Sequence, residues 1–177
     1  MIGHRLMGHA LLLTGEIAAA QAHYSQGLPL YDPAEHRPFA TRFGQDISVT
    51  ILGFRSLALW LLGYPEKALA DASRALKDAQ EIGQAATLMF ALNYTAKTQT
   101  HCGNYAAANS LLEQLIALAD QKGAPYWKAF GMSVQGCVLV ANGDTSGAVQ
   151  LLTLGMTALR STGATLYVPW LLSNLAR

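Results

Sequence analysis

Apolar and small residues recur three and four positions apart along much of the chain. The clearest runs are Ala68, Ala72, Ala75, Leu76 and Ala79; Ala108, Leu111, Leu112, Leu115, Ile116 and Ala119; and Ala148, Leu151, Leu152, Gly155, Ala158 and Leu159. Such spacing is the stripe of an amphipathic helix with one face turned to a core. Alternating runs of Val, Ile, Thr and aromatic residues, the mark of strands, do not occur, so an all-α fold is expected.

Glycines punctuate the helical pattern at regular intervals. Gly15, Gly63, Gly103 and Gly143 each end an apolar stretch and are followed five residues later by Ala20, Ala68, Ala108 and Ala148. Gly83, Gly123 and Gly163 form a second set with the same 40-residue step. A fixed period of this length predicts stacked helical hairpins, in which glycine supplies the left-handed turn that ends a helix. First helices are expected near 1–14, 47–62, 84–102, 124–142 and 164–177. Second helices are expected near 16–30, 65–82, 105–122 and 145–162. The repeats then fall near 1–46, 47–83, 84–123 and 124–163, with a partial unit at 164–177, all in one array. Pro65 suits a helix start and Asp144 a start cap. Pro169 predicts a late start or a kink in the last helix. The first interval is 48 residues instead of 40, and the excess falls in YDPAEHRPFATRFGQD, residues 31–46. Pro33 and Pro38 make part of this insertion loop or broken helix. An insertion in a regular array marks one face, often the functional one.

Composition narrows the classes. Charged residues make up 13% of the chain and the net charge is +1, so nucleic acid is not an expected partner, since it requires a basic footprint. Mean hydropathy is +0.21, and a low charge content suits an array cut from a longer one whose end repeats expose core. Homodimerisation through those ends is expected on the same ground. The run around Ile51–Tyr64 contains Arg55 and falls short of the ~20 residues of a spanning helix. With no signal peptide at MIGHR and only Cys102 and Cys137, without CxxC spacing, a reduced, cytoplasmic protein is expected and no membrane partner.

Candidate chemistry is sparse. The histidines are His4, His9, His23, His36 and His101; His4 and His9 lie five apart, not the three or four that share a helix face. No zinc-like spacing appears, and neither metal nor cofactor is expected. Nothing orients a base for Cys102 or Cys137, and there is no GxSxG elbow or GxxxxGK[ST] phosphate loop. The segment is therefore not expected to be an enzyme. In the insertion, Tyr31, Asp32, His36, Arg37, Arg42, Gln45 and Asp46 make a candidate phosphate or peptide site. The competing reading pairs Arg42 with Asp46, four apart, on one helix face.

The offsets of Gly8, Ser56, Ala96 and Gly136, then the turn glycines and their alanines, then Tyr24 resemble the tetratricopeptide repeat. Ala72, Leu112 and Leu152 stand at the aromatic position of the later repeats. The 40-residue repeat exceeds that family's ~34. The resemblance implies a right-handed α-α solenoid whose first helices line a concave groove. Carried onto this chain, the groove positions are Arg5, His9, Thr50, Trp60, Phe90, Asn93, Lys97, His101, Phe130, Ser133, Trp170 and Ser173. The family's carboxylate clamp does not carry over: Arg5 and His9 could replace its first pair, but Phe54, Phe90 and Tyr94 stand where other polar groups belong. More narrowly, residues 31–46 with LWLLGYPEKAL resemble the carboxy-terminal repeat region of large bacterial signalling proteins that carry class III adenylate/guanylate cyclase and nucleotide-binding ATPase modules. This implies a regulatory segment whose catalytic modules lie elsewhere in a longer chain.

Charge supports a groove. The five first helices contain Arg5, Arg55, Lys97, Lys128 and Arg177 and no acid, whereas the second helices carry eight acids, Asp144 at the cap included. A positive groove with aromatics would take an acidic peptide or protein partner. The alternative is an anionic or aromatic small ligand, sensed inside the superhelix and controlling a linked output module.

Overall fold

The computed structural model describes residues 1–176, and every regular element among them is helical. In chain order these are α1 (Ile2–Thr14), α2 (Ile17–Gly27), a 3₁₀ turn (Leu28–Leu30), α3 (Pro33–His36), α4 (Phe39–Phe43), α5 (Ile47–Leu61) and α6 (Pro65–Ile82). There follow α7 (Ala85–His101), α8 (Tyr105–Gln121), α9 (Pro125–Ala141), α10 (Thr145–Ser161) and α11 (Val168–Leu175). The long helices lie where the glycine period places them. The repeat-turn glycines take left-handed backbone, as at Gly63 (φ 84°) and Gly143 (φ 86°), which ordinary residues rarely adopt. Pro65 opens α6, and Asp144 accepts from the Gly147 amide at 3.1 Å. Pro169 occupies the first turn of α11, so it marks a late start and not a kink. No described helix is long and apolar enough to cross a membrane.

The chain forms two compact units, Met1–Thr98 and Gln99–Arg177. In the first, α1 packs on α2, α5 lies against both, and α6 packs on α5. Close approach depends on residues without side chains. A Cβ at Gly8 would sit 2.6 Å from the Tyr24 ring, and one at Gly53 would sit 2.7 Å from Phe90. From α7 the Thr95 hydroxyl donates to the Ala72 carbonyl of α6 at 3.0 Å. Ser56 and Thr98 join α5 to α7 through their hydroxyls at 2.9 Å. Tyr24, Val49, Ile51, Leu52 and the alanine stripe of α6 are buried between these helices.

In the second unit α9 packs between α8 and α10, and α11 touches both α9 and α10. Gly136 on α9 sits under Leu152 of α10, where a Cβ would meet the leucine at 2.7 Å. Gly155 on α10 returns the arrangement: its missing side chain makes room for Ser133, whose hydroxyl turns back to the Ala129 carbonyl at 2.8 Å.

Gly155 provides a test of the close-approach principle. Alanine is favoured over glycine inside a helix by about 1 kcal/mol. A Cβ there would overlap the Ser133 hydroxyl and lie 2.9 Å from the Ser133 backbone nitrogen, which cannot rotate away. Gly155→Ala is therefore expected to destabilise the fold by about 1–3 kcal/mol in urea unfolding. Unchanged or increased stability would show that the α9–α10 spacing is not set here.

Candidate functional site

Three groove candidates gather in the first unit. Arg5 and His9 lie one turn apart on α1 and are half-buried, and Lys97, 6% exposed, lies on α7. His9 stacks on Phe54 of α5 with ring centres 4.2 Å apart. Phe54 meets Tyr94 edge-on at 5.0 Å, and the Lys97 ammonium lies 5.1 Å from the centre of the Tyr94 ring. Burial, then the charges of Arg5 and Lys97, push the His9 pKa below its ordinary value of 6.5. Burial likewise lowers Arg5. The charges of Arg5 and Lys97 thus add to burial in disfavouring a protonated His9. Beside them Asn93, one turn before Lys97, is 0% exposed, and neither of its amide atoms has a hydrogen-bond partner among the described residues. A buried amide with both ends unmatched is rare in folded proteins.

The aromatic part of the groove expectation is corrected. Phe90 is 3% exposed, locked between Phe54 and Tyr94, and Thr50 is 2% exposed, with its hydroxyl turned to the Ile47 carbonyl. These side chains belong to the core of the first unit and not to a groove surface. In the second unit Phe130 is buried and stacks on Tyr167 at 4.9 Å, and Ser133 is buried beneath Gly155. Trp60, His101 and Trp170 are half-buried, and Ser173 is exposed.

The charge segregation between first and second helices holds, but not every first-helix base is left to line a groove. Arg55 grips Asp71 of α6 with two nitrogens, at 2.6 and 2.9 Å, and Lys128 reaches Asp120 of α8 at 2.7 Å. Two of the first-helix bases are thereby matched by second-helix acids. Arg177 lies outside the described residues. Arg55 and Asp71 line an open cleft of about 620 Å³ with Gln21, Tyr64 and Lys67, on the side of α2 and α6.

The insertion is folded, with α3 and α4 inside it, and its key residue is Asp46. Neither expectation for Asp46 holds. It is 0% exposed, so it is not a surface ligand group, and Gly44 ends α4 with φ 80°, so Arg42 and Asp46 share no helix face. Arg42 instead lies over the Phe43 ring at 5.5 Å. One Asp46 oxygen caps α5, accepting from the Ser48 and Val49 amides at 2.9 and 3.1 Å and from the Ser48 hydroxyl at 2.8 Å. The other accepts from the Tyr31 hydroxyl at 2.6 Å. The Asp46 amide donates to the Thr87 hydroxyl at 2.9 Å, and Thr87 bonds Gln84. Gln84 in turn donates to the Ala40 and Gly44 carbonyls at 3.1 and 3.3 Å. This network pins both ends of the insertion to the start of α7. Asp32 caps α3 through the Ala34 amide at 2.8 Å; Glu35 and Arg37 are exposed and His36 half-buried, stacked on Tyr31 at 5.7 Å. Gln45 meets the groove candidates Arg5 and Thr50 around a cavity of about 30 Å³, which also touches Ile2, Phe43 and Ile47. The two candidate surfaces therefore adjoin at Arg5.

The spacing of Arg5 and His9 marks them as neighbours in sequence. Asp46 and Thr87, 41 residues apart, carry no such signal; only the Asp-x-Ser start-cap pattern of Asp46–Ser48 could have shown part of that role. Compared with models of known protein families and with curated proteins, the chain matches none.

Burial and the Asp46 carboxylate push the Tyr31 pKa up from 10.0 to about 12, outweighing the opposing contacts of Ser48 and Arg37. The sign follows from linkage: the fold favours protonated Tyr31, so this stabilisation is full below pH 10 and is lost as pH rises toward about 12. Burial, with Tyr167 nearby, raises Tyr126 to about 12 as well. In a Tyr126→Phe background, Tyr31→Phe is expected to cost about 1–2 kcal/mol at pH 8 and to flatten the loss of stability between pH 10 and 12. An unchanged alkaline slope would refute the Tyr31–Asp46 bond as the source.

Proposed function

We propose that this chain is an interaction segment built of tetratricopeptide-like hairpins in a right-handed solenoid, and that its first unit captures a carboxylate-bearing protein segment at Arg5, His9 and Lys97. The observation that carries the reading is the placement of the three groups: His9, one turn beyond Arg5, stacks on Phe54 at 4.2 Å, and Phe54 meets Tyr94, over whose ring the Lys97 ammonium lies. The charges of Arg5 and Lys97 disfavour a protonated His9, and a carboxylate held beside it favours that form. A small ligand enclosed by Trp60, Phe90 and Phe130 is less well supported, because Phe90 and Phe130 are core side chains. In keeping with the resemblance of residues 31–46 and LWLLGYPEKAL, we place the segment in a cytoplasmic bacterial signalling protein, next to ATPase and cyclase modules that it would regulate.

The reading makes binding a proton-coupled event. A bound carboxylate raises the His9 pKa, so affinity for an acidic peptide is expected to increase as pH falls from about 7.5 toward His9's own depressed midpoint. Fluorescence anisotropy with a labelled acidic peptide measures this, and histidine NMR follows His9 directly. Arg5→Gln and Lys97→Met are each expected to weaken binding about 10-fold or more, the size of a lost charge-assisted hydrogen bond. Equal affinity for a neutral peptide of the same length, or a His9 midpoint unmoved by saturating peptide, would refute the site. Free acetate or phosphate competing as strongly as the peptide would assign it to a small anion instead.

A further inference from the structure

His4 on α1 and His23 on α2 are 19 residues apart in sequence, yet their Nδ1 atoms lie 3.1 Å apart, with ring centres at 5.3 Å. We infer that this pair is a bidentate site for a late first-row divalent ion, of the zinc, nickel or copper class, bound through the two Nδ1 atoms. The inference is independent of the anion reading, since neither histidine belongs to the Arg5–His9–Lys97 group.

Three features carry it. The first is distance. At the ~2.0–2.1 Å length of a zinc–imidazole bond, two nitrogens 3.1 Å apart subtend about 100° at the metal. That angle lies between the square-planar and tetrahedral values these ions prefer. The second is ligand chemistry. The two Nδ1 atoms face each other, and imidazole nitrogen is the commonest donor to such ions.

The third is preorganisation. The pair sits on a hairpin drawn tight on either side of it. Gly8, one turn beyond His4, is pressed under the Tyr24 ring, where a Cβ would lie 2.6 Å away. Gly27, one turn beyond His23, admits the His4 side chain so closely that a Cβ there would lie 3.0 Å from the histidine Cβ. Two rings on such a frame present their nitrogens together without ordering a loop, which is what a two-ligand site needs to bind at all. Both residues are half-buried, so a hydrated ion can reach them. No cluster of three or more His, Cys, Asp or Glu suited to a metal occurs among the described residues. The ion would therefore keep water in its remaining positions, which makes this an open site and not a closed structural one.

The test uses the full chain without an affinity tag. Titration calorimetry with zinc chloride is expected to show one site per chain at pH 7.5 and loss of affinity on acidification, as protons compete for the imidazoles. His4→Gln and His23→Gln are each expected to lower affinity about 10-fold or more, since removing a ligand should cost at least what losing its supporting partner does. His36→Gln is expected to leave it unchanged. Should either variant fail to fold, copper(II) broadening of the parent protein's NMR spectrum locates the ion directly, centred on residues around 4 and 23. The inference is overturned if the folded parent binds no zinc, if both variants bind like the parent, or if broadening centres elsewhere.

Discussion

Backbone proximity between helices is the constraint on which the rest of the structure depends. Gly8 under Tyr24, Gly53 against Phe90, Gly136 under Leu152 and Gly155 against Ser133 each remove one side chain so that a neighbour can fill the gap. Dispersion and apolar burial fall off within fractions of an ångström, so a shared core between hairpins exists only where such approach is allowed. The large partner varies while the small one is retained: an aromatic ring fills the gap in the first hairpin and a leucine fills it at α9–α10. The spacing is thus preserved by exchange of volume across the contact, and the low charge content follows, since first helices touched on several sides leave few positions for a hydrated group.

The same packing decides where polarity is tolerated. Arg55 reaches Asp71 with two hydrogen bonds, and side-chain exposures of 18% and 14% leave the pair only partly hydrated. Asp46 is fully buried and has four donors on its two oxygens. Asn93, equally buried, has none among the described residues. Burial without partners is unfavourable by about 1–3 kcal/mol for a neutral group, so Asp46 and Asn93, equally buried, stand at opposite ends of polar satisfaction.

Helix positions were legible because the signals are local. Glycine at each left-handed turn, proline at helix starts and the three-four stripe act within a few residues of where they stand, and they located α5 through α10 to within a residue or two. The insertion was legible only as an interruption. Its two short helices follow from Pro33 and Pro38, but its anchoring depends on Asp46, Thr87 and Gln84, which no periodicity links. For the candidate sites, residue type pointed to Arg5, His9 and Lys97, yet it could not tell a surface aromatic from a core one: Phe90 and Phe130 have the right chemistry for a groove and sit in the interior. Nor could it foresee the His4–His23 pair, because spacing rules within one helix are blind to partners on the next.

The bonds from Asp46 to Thr87 and from Gln84 to Ala40 and Gly44 also bear on how the chain acquires its structure. Their separations of 41, 44 and 40 residues mean that the insertion cannot satisfy its own backbone groups. A nascent chain that has reached only the end of α6 holds Asp46 with its cap made and its amide unmatched, and α4 with open carbonyls. The start of α7 closes all of these at once. Repeat arrays ordinarily gain order one hairpin at a time, each resting on the last. Here three long-range bonds tie the first two hairpins to the start of the helix after them, all within the compact unit Met1–Thr98.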